Sequence, residues 1–220
     1  SKVNSVRQEN AQVQGDALVT LSNAVGTYMT NNYKELVNNT AIAGYADVYV
    51  PTIPELVGTG LLSNNFSVNN FYGSGYQIAV SRFPVGCVAP NCDIISLVNM
   101  TTGIVDYRTG LVDGPTLGAA ARRMGANGGF SNRETPGTIS GTSGGWTVAN
   151  PVLVAGVPVP GILAIRGGYG SSGWSQFMRR DGSLWATGSF NMGGNNISNV
   201  ETLGSNAINN ATSIATSTLA

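Results

Sequence analysis

Over the first forty residues, apolar side chains recur every three or four positions, and this spacing constrains the chain more than any other feature. Val3, Val6, Asn10, Val13, Ala17, Leu21, Ala24, Tyr28, Asn32 and Leu36 form one helical stripe. Leu18, Val25, Met29 and Tyr33 broaden it to the width of a core-facing helix. Gln8, Gln12, Gln14, Asn23 and Lys34 are expected on the opposite, solvent-facing side. Gly15 and Gly26 each weaken a helix by roughly 1 kcal/mol relative to Ala without requiring a break. A helix from Asn4 to Asn38 would be roughly 50 Å long at 1.5 Å per residue. A 220-residue body has a radius of gyration of only about 17 Å. Such a helix must run the length of the body or project from it.

After Thr40 the periodicity changes to short β-like runs between Gly, Asn, Pro and Ser clusters. Strands are expected at Tyr45–Val50, Tyr76–Phe83, Asp93–Met100, Gly103–Arg108, Gly137–Gly141, Gly145–Ala149, Pro160–Arg166 and Trp174–Thr187. Asp181-Gly182 supplies a hairpin turn within the last of these. Pro51 to Val57 reads as an extended approach to one short helical turn. G-P-T-L-G-A-A-A-R-R-M-G, from Gly114 to Gly125, carries helix start and stop signals: an early Pro, an Ala-rich interior, late Arg122 and Arg123, and a closing Gly. One long helix, an antiparallel sheet and a segregated tail make the expected fold α+β. The expected organisation is residues 1–130 with the helix, a β-rich part at 131–187, and an Asn/Ser/Thr-rich stalk-like tail at 188–220.

Composition narrows the chemistry. The chain has no His, which removes the commonest general base and the commonest metal ligand. Eleven basic and eleven acidic residues cancel, so there is no electrostatic footprint for nucleic acid. No run approaches 18 apolar residues, so neither a membrane span nor a signal-peptide core is expected within these residues. Cys87 and Cys92 bracket a short loop, G-C-V-A-P-N-C. They read either as half of a metal site, with no second pair or His to complete it, or as a structural disulfide of an oxidising compartment. Closing so short a loop contributes about 2 kcal/mol on the chain-entropy model.

Other motifs are better explained by structure. Gly168, Gly170 and Gly173 satisfy G-x-G-x-x-G, but a hairpin follows instead of a helix, and no acidic residue lies near position 193. A Ser–Lys nucleophile would have to use Lys2 or Lys34, both on the first helix. Asp106, Asp113, Glu134 and Asp181 could in principle pair for glycoside hydrolysis, although Asp113 and Asp181 suit turns. Phe66, Phe71, Tyr72, Tyr76, Trp146, Tyr169, Trp174 and Trp185 could stack on sugars or fill a core. Asn38-Asn-Thr and Asn99-Met-Thr fit the glycosylation sequon.

The first helix, with Q-E-N-A-Q followed by A-L-V-T-L-S-N-A-V-G-T-Y-M-T-N-N-Y, resembles the second half of the long type IVb pilin helix. G-T-S-G-G-W-T-V and the later G-W-S-Q-F-M-R-R-D-G-S-L-W-A-T-G-S-F-N-M-G-G-N-N-I-S-N-V resemble the constant region of shufflon-type (PilV-type) minor pilins. The resemblance implies a type IV pilin-like fold, and an extracellular minor pilin and adhesin at the tip of a conjugative thin pilus of a Gram-negative cell. Its implied partners are the major pilin and other pilus subunits. Lipopolysaccharide of recipient cells is the implied receptor, recognised through an exchangeable C-terminal segment. The apolar front half of the pilin helix and that variable segment are not recognisable in this chain.

A non-enzymatic adhesin scaffold is thus the expected function, with no catalytic residue, metal or cofactor. A stand-alone extracellular carbohydrate-binding module is the alternative, and a glycan array separates the two. The tail is expected to self-associate as a trimer through Ile197, Val200, Leu203, Ile208 and Ile214, because Glu201 is its only charge and its apolar residues have no second layer of their own. A tail that folds back onto its own domain or stays frayed is the competing arrangement.

Overall fold

The helical stripe does form a long helix, but its buried face is not the one the spacing selects throughout. In the computed structural model, which describes residues 2–70, 72–89 and 92–169, α1 spans Lys2–Asn31. Leu18, Leu21, Val25, Tyr28 and Met29 are fully buried. Toward the N-terminus the contact face rotates: Val6 and Val13 are 54% and 61% exposed, whereas Gln14 is 3% exposed. Gln14, expected in solvent, instead donates its side-chain amide to the Tyr76 hydroxyl (3.2 Å). The reason is the neighbouring helix α4 (Gly114–Arg123), which crosses α1 at Gly15. A Cβ on Gly15 would lie 2.6 Å from the Ala120 carbonyl oxygen, so the absence of a side chain sets the crossing distance.

The single helix expected to reach Asn38 is interrupted at Asn32 and resumes as α2 (Tyr33–Asn38). Asn32 departs from helical geometry at φ −118°, while its side-chain amide donates to the Tyr28 carbonyl (2.9 Å). Such local side-chain bonding competes with the helix ladder. Asn39 closes α2 in the left-handed conformation at φ 53°.

Residues Tyr45–Val50 form turns, not the expected strand. Asp47 accepts from the Tyr49 amide (2.8 Å) and Glu55 from the Ala46 amide (2.7 Å), which diverts the backbone from a ladder. One strand-like bond remains, from the Val80 amide to the Tyr49 carbonyl (2.8 Å). Tyrosines fasten this loop to the helices: the Tyr28 hydroxyl donates to the Val48 carbonyl and the Tyr49 hydroxyl to the Leu36 carbonyl. The short helix α3 (Ile53–Gly58) follows, with a capping box in which Thr52 and Glu55 satisfy each other's amides.

Strands β1 (Tyr76–Phe83) and β2 (Asp93–Met100) form an antiparallel hairpin whose connection contains the Cys87–Cys92 disulfide. Residues Gly103–Arg108, expected as a strand, retain only the Val105–Val112 bridge. Asp106 turns the chain there by accepting from the amides of Arg108 (2.8 Å) and Thr109 (3.3 Å). Asp113 caps α4 by accepting from the Thr116 amide (3.2 Å). After a 3-10 turn at Gly125–Asn127 come β3 (Gly128–Ser131), β4 (Thr138–Gly141) and β5 (Thr147–Ala149). A small hairpin of β6 (Leu153–Val154) and β7 (Val157–Pro158) precedes β8 (Leu163–Gly168).

The main sheet has the order β1-β2-β8-β3-β4-β5, and all its pairs are antiparallel. Strand β8 inserts between β2 and β3, and strands from both sides of residue 130 share the one sheet. Its inner face packs Ile78, Val80, Ile94, Val98, Leu163 and Ile165 into a common core with α1, α2 and α4. By spatial contact the chain divides into Ser1–Leu184 and Trp185–Ala220, and every described residue belongs to the first unit. The expected hairpin at 174–187 and the tail contacts Ile197, Val200, Leu203, Ile208 and Ile214 lie outside the described residues. The result is α+β with a pilin-like architecture: a long N-terminal helix packed on a curved antiparallel sheet, followed by a β-rich region.

Candidate functional site

Side chains alternate across the sheet, so residues that do not meet α1 face outward. The register aligns Ala79, Leu97 and Arg166 across β1, β2 and β8, and Ser81, Ile95 and Gly168 in the next row. Beyond β8, Gly129 of β3 stands opposite Gly141 of β4. This glycine pair seats the Trp146 indole: a Cβ on Gly129 would lie 2.8 Å from the ring, and one on Gly141 would also strike it. The indole N–H donates to the Ala126 carbonyl (3.2 Å), and only 8% of the residue is exposed. Trp146 packs with Ile139, Val152, Ile162 and Ala164 in a second, smaller core on this outer face.

Between the β1–β2 surface and β5 lies a cleft of about 490 Å³. Its floor is aliphatic, from Ala79, Ile95 and Leu97, and Phe83 stacks with Tyr169 at one side (ring centroids 5.1 Å apart). Thr147, Val148 and Ala149 line its other side. The Arg166 guanidinium lies over the Trp146 ring, 5.6 Å from its centroid. Partial burial lowers the pKa of Arg166, though a guanidinium stays charged at any ordinary pH. Its Nε is buried without a hydrogen-bond partner.

Buried polar contacts hold the wall of this cleft in place. Asn150, directly after β5, donates to the carbonyls of Pro136 (2.8 Å) and Val159 (2.7 Å) and accepts from the Val152 amide (3.0 Å). The Ser131 hydroxyl donates to the Val159 carbonyl (3.1 Å) and accepts from the Ile162 amide (3.0 Å). Asn150 and Ser131 are thereby satisfied in the interior.

The residues singled out in the sequence do not converge here as a group. Cys87 and Cys92 are disulfide-bonded, and the Cys92 carbonyl accepts from the Tyr33 hydroxyl (2.6 Å). Asp106 pairs with Arg7 (3.0 Å), and Asp113 is a helix cap. Phe66 and Tyr76 pack ring to ring (5.7 Å), and both join the main core with Tyr72. Of the candidate aromatics, Trp146 and Tyr169 reach the cleft; Phe71, Trp174, Trp185, Asp181, Gly170 and Gly173 lie outside the described residues. Among the described residues, no three His, Cys, Asp or Glu side chains gather as metal ligands would. No described helix is long and apolar enough to cross a membrane.

Sequence reasoning did not single out Arg166, Leu97 or Val148. The signal for Arg166 was present, as a lone charge ending the apolar run Ile162-Leu-Ala-Ile. No protein-family model, curated protein or solved structure matches the chain. Its class therefore rests on architecture: a pilin-like α+β fold with a long helix packed on a curved antiparallel sheet.

Proposed function

We propose that the protein is a non-enzymatic minor pilin and adhesin scaffold at the tip of a conjugative type IVb pilus. In this reading it is extracellular and contacts the major pilin and other pilus subunits. A C-terminal segment presents the receptor-binding surface to lipopolysaccharide of recipient cells, and residues after Gly188 trimerise. One observation carries the reading: toward its N-terminus α1 packs on its own chain through Ala11, Gln14 and Gly15, yet leaves the apolar Val6 and Val13 exposed on its other side. That exposed apolar stripe suits a helix that holds a globular head with one face and packs among filament subunits with the other. The resemblance of the Trp146 and Trp174–Val200 runs to the shufflon-type constant region supports the more specific assignment.

A free-standing carbohydrate-binding module draws less support. Phe66, Tyr72 and Tyr76 are engaged in the core, and the Trp146 ring is seated on glycines and overlain by Arg166. The test uses donor cells that assemble the thin pilus and mate in liquid. Deleting the gene is expected to reduce transfer at least tenfold, and the wild-type protein should sediment with sheared pili. Val13→Asp protein should be produced at normal level yet be lost from that fraction. Unchanged mating after deletion, with wild-type protein absent from the pili, would overturn the proposal.

A further inference from the structure

Arg166 is the only charged side chain among the described residues lining the cleft. The ion pairs between described residues are Arg7–Asp106 and Arg123–Asp16, and no described carboxylate pairs with Arg166. Its Nε–H is buried without an acceptor, so a ligand meets the guanidinium at its two terminal nitrogens. A partly desolvated guanidinium in this state favours a carboxylate, which it can hold through two parallel hydrogen bonds. The surroundings are aliphatic, so a matching ligand presents apolar groups beside its acid.

Independently, β5 is an edge of the sheet among the described strands. The Gly141 amide bonds to the Trp146 carbonyl (2.9 Å) and the Asn150 amide to the Gly137 carbonyl (2.9 Å). In the antiparallel alternation, Trp146, Val148 and Asn150 therefore serve β4, while the N–H and C=O groups of Thr147 and Ala149 point away from the sheet. An unpaired row of this kind recruits an extended backbone. The row begins beside Trp146, the residue over which Arg166 lies. A volume of about 490 Å³ is in the range of ligand sites and takes a few side chains.

We infer that the cleft docks an extended acidic-hydrophobic segment of another polypeptide, pairing its backbone with Thr147 and Ala149 and placing a carboxylate on Arg166. Aliphatic side chains of the segment rest on Ile95 and Leu97. A sugar acid satisfies the charge but gains little from a Trp146 ring that is already covered. The inference stands independently of the pilus assignment.

The full chain is used to select binders from a library of random octapeptides. The best peptide is then titrated while the Arg166 Nε–H and the Thr147 and Ala149 amides are followed by NMR. Enriched peptides are expected to carry one Asp or Glu with Val, Ile or Leu two residues away, and to shift all three signals. Replacing the peptide's acid by its amide, or Arg166→Met in the protein, should weaken binding at least tenfold. Thr147→Pro removes an outward N–H that β4 does not use, so it should weaken binding with melting unchanged. If Arg166→Met fails to fold, the peptide's own acid-to-amide change and Thr147→Pro carry the test. Three results overturn the inference: no enrichment, enriched peptides without an acid, or binding indifferent to Thr147→Pro. Two others do so by naming a different occupant. One is sodium glucuronate alone shifting Arg166, and the other is self-association by light scattering that Thr147→Pro abolishes.

Discussion

At the scale of single residues, stability is concentrated where a side chain replaces a missing backbone partner. Glu55 accepts from the amides of Ala46 and Thr52 and from the Thr52 hydroxyl, and these bonds, led by that from Ala46, hold its carboxyl below the ordinary range. A carboxyl lowered on folding adds stability above its unfolded value and loses it as pH falls through the folded one. The melting difference between wild type and Glu55→Gln should therefore be largest near neutral pH and vanish in strong acid. Thr52→Ala should cost about 1 kcal/mol, read as a lowered urea midpoint. A Glu55→Gln difference that does not depend on pH would contradict this account. The short helical turn at Pro51–Val57 was legible, but the Thr52–Glu55 box that caps it was not singled out. Arg166 was harder to interpret, because only the register shows that its row faces away from the helix.

At the scale of elements, the two glycines of α1 look alike in the sequence and differ in the fold. Gly26 has nothing within 4 Å of an added Cβ, so Gly26→Ala should raise stability by up to about 1 kcal/mol through helix propensity. Gly15→Ala should lower it, because the methyl meets the Ala120 carbonyl oxygen at 2.6 Å and Arg123 Cβ at 2.9 Å. Thermal unfolding of the two single variants decides, and equal shifts of the same sign would show that the α1–α4 crossing is loose. The strands β1 and β2 were readable to the residue from their apolar runs and turn punctuation. Strand β3 was not, since Gly128-Gly129 carries no β-branched signal. Those glycines are small because Met124 and Trp146 lie against them, a reason that exists only in three dimensions. Tyr45–Val50 failed in the opposite direction: its residues suit a strand, but Asp47 and Glu55 bind the backbone first.

At the scale of the molecule, the helix-on-sheet plan was legible because a stripe of this length has to bury itself against something wide. The order of strands was not, since β8 reaches the centre of the sheet only through the long excursion that forms β3 to β7. If the plan is right, Leu21→Asp should destabilise by on the order of 3 kcal/mol or more, since it leaves a charge unpaired in the core. Gln12→Glu, on the exposed side, should stay within about 0.5 kcal/mol of wild type. Chemical denaturation of both variants checks the assignment, and comparable losses would refute it. The central place of β8 has a mechanical consequence. The backbone passes from Gly168 to Tyr169, whose amide is still bonded to the Ile94 carbonyl (2.9 Å), so tension arriving from beyond that residue is delivered to a strand flanked by β2 and β3. An edge strand can be peeled away from one neighbour, bond by bond. A strand gripped on both sides must give up two ladders, so the fold meets a pull along its chain at one of its best-anchored points.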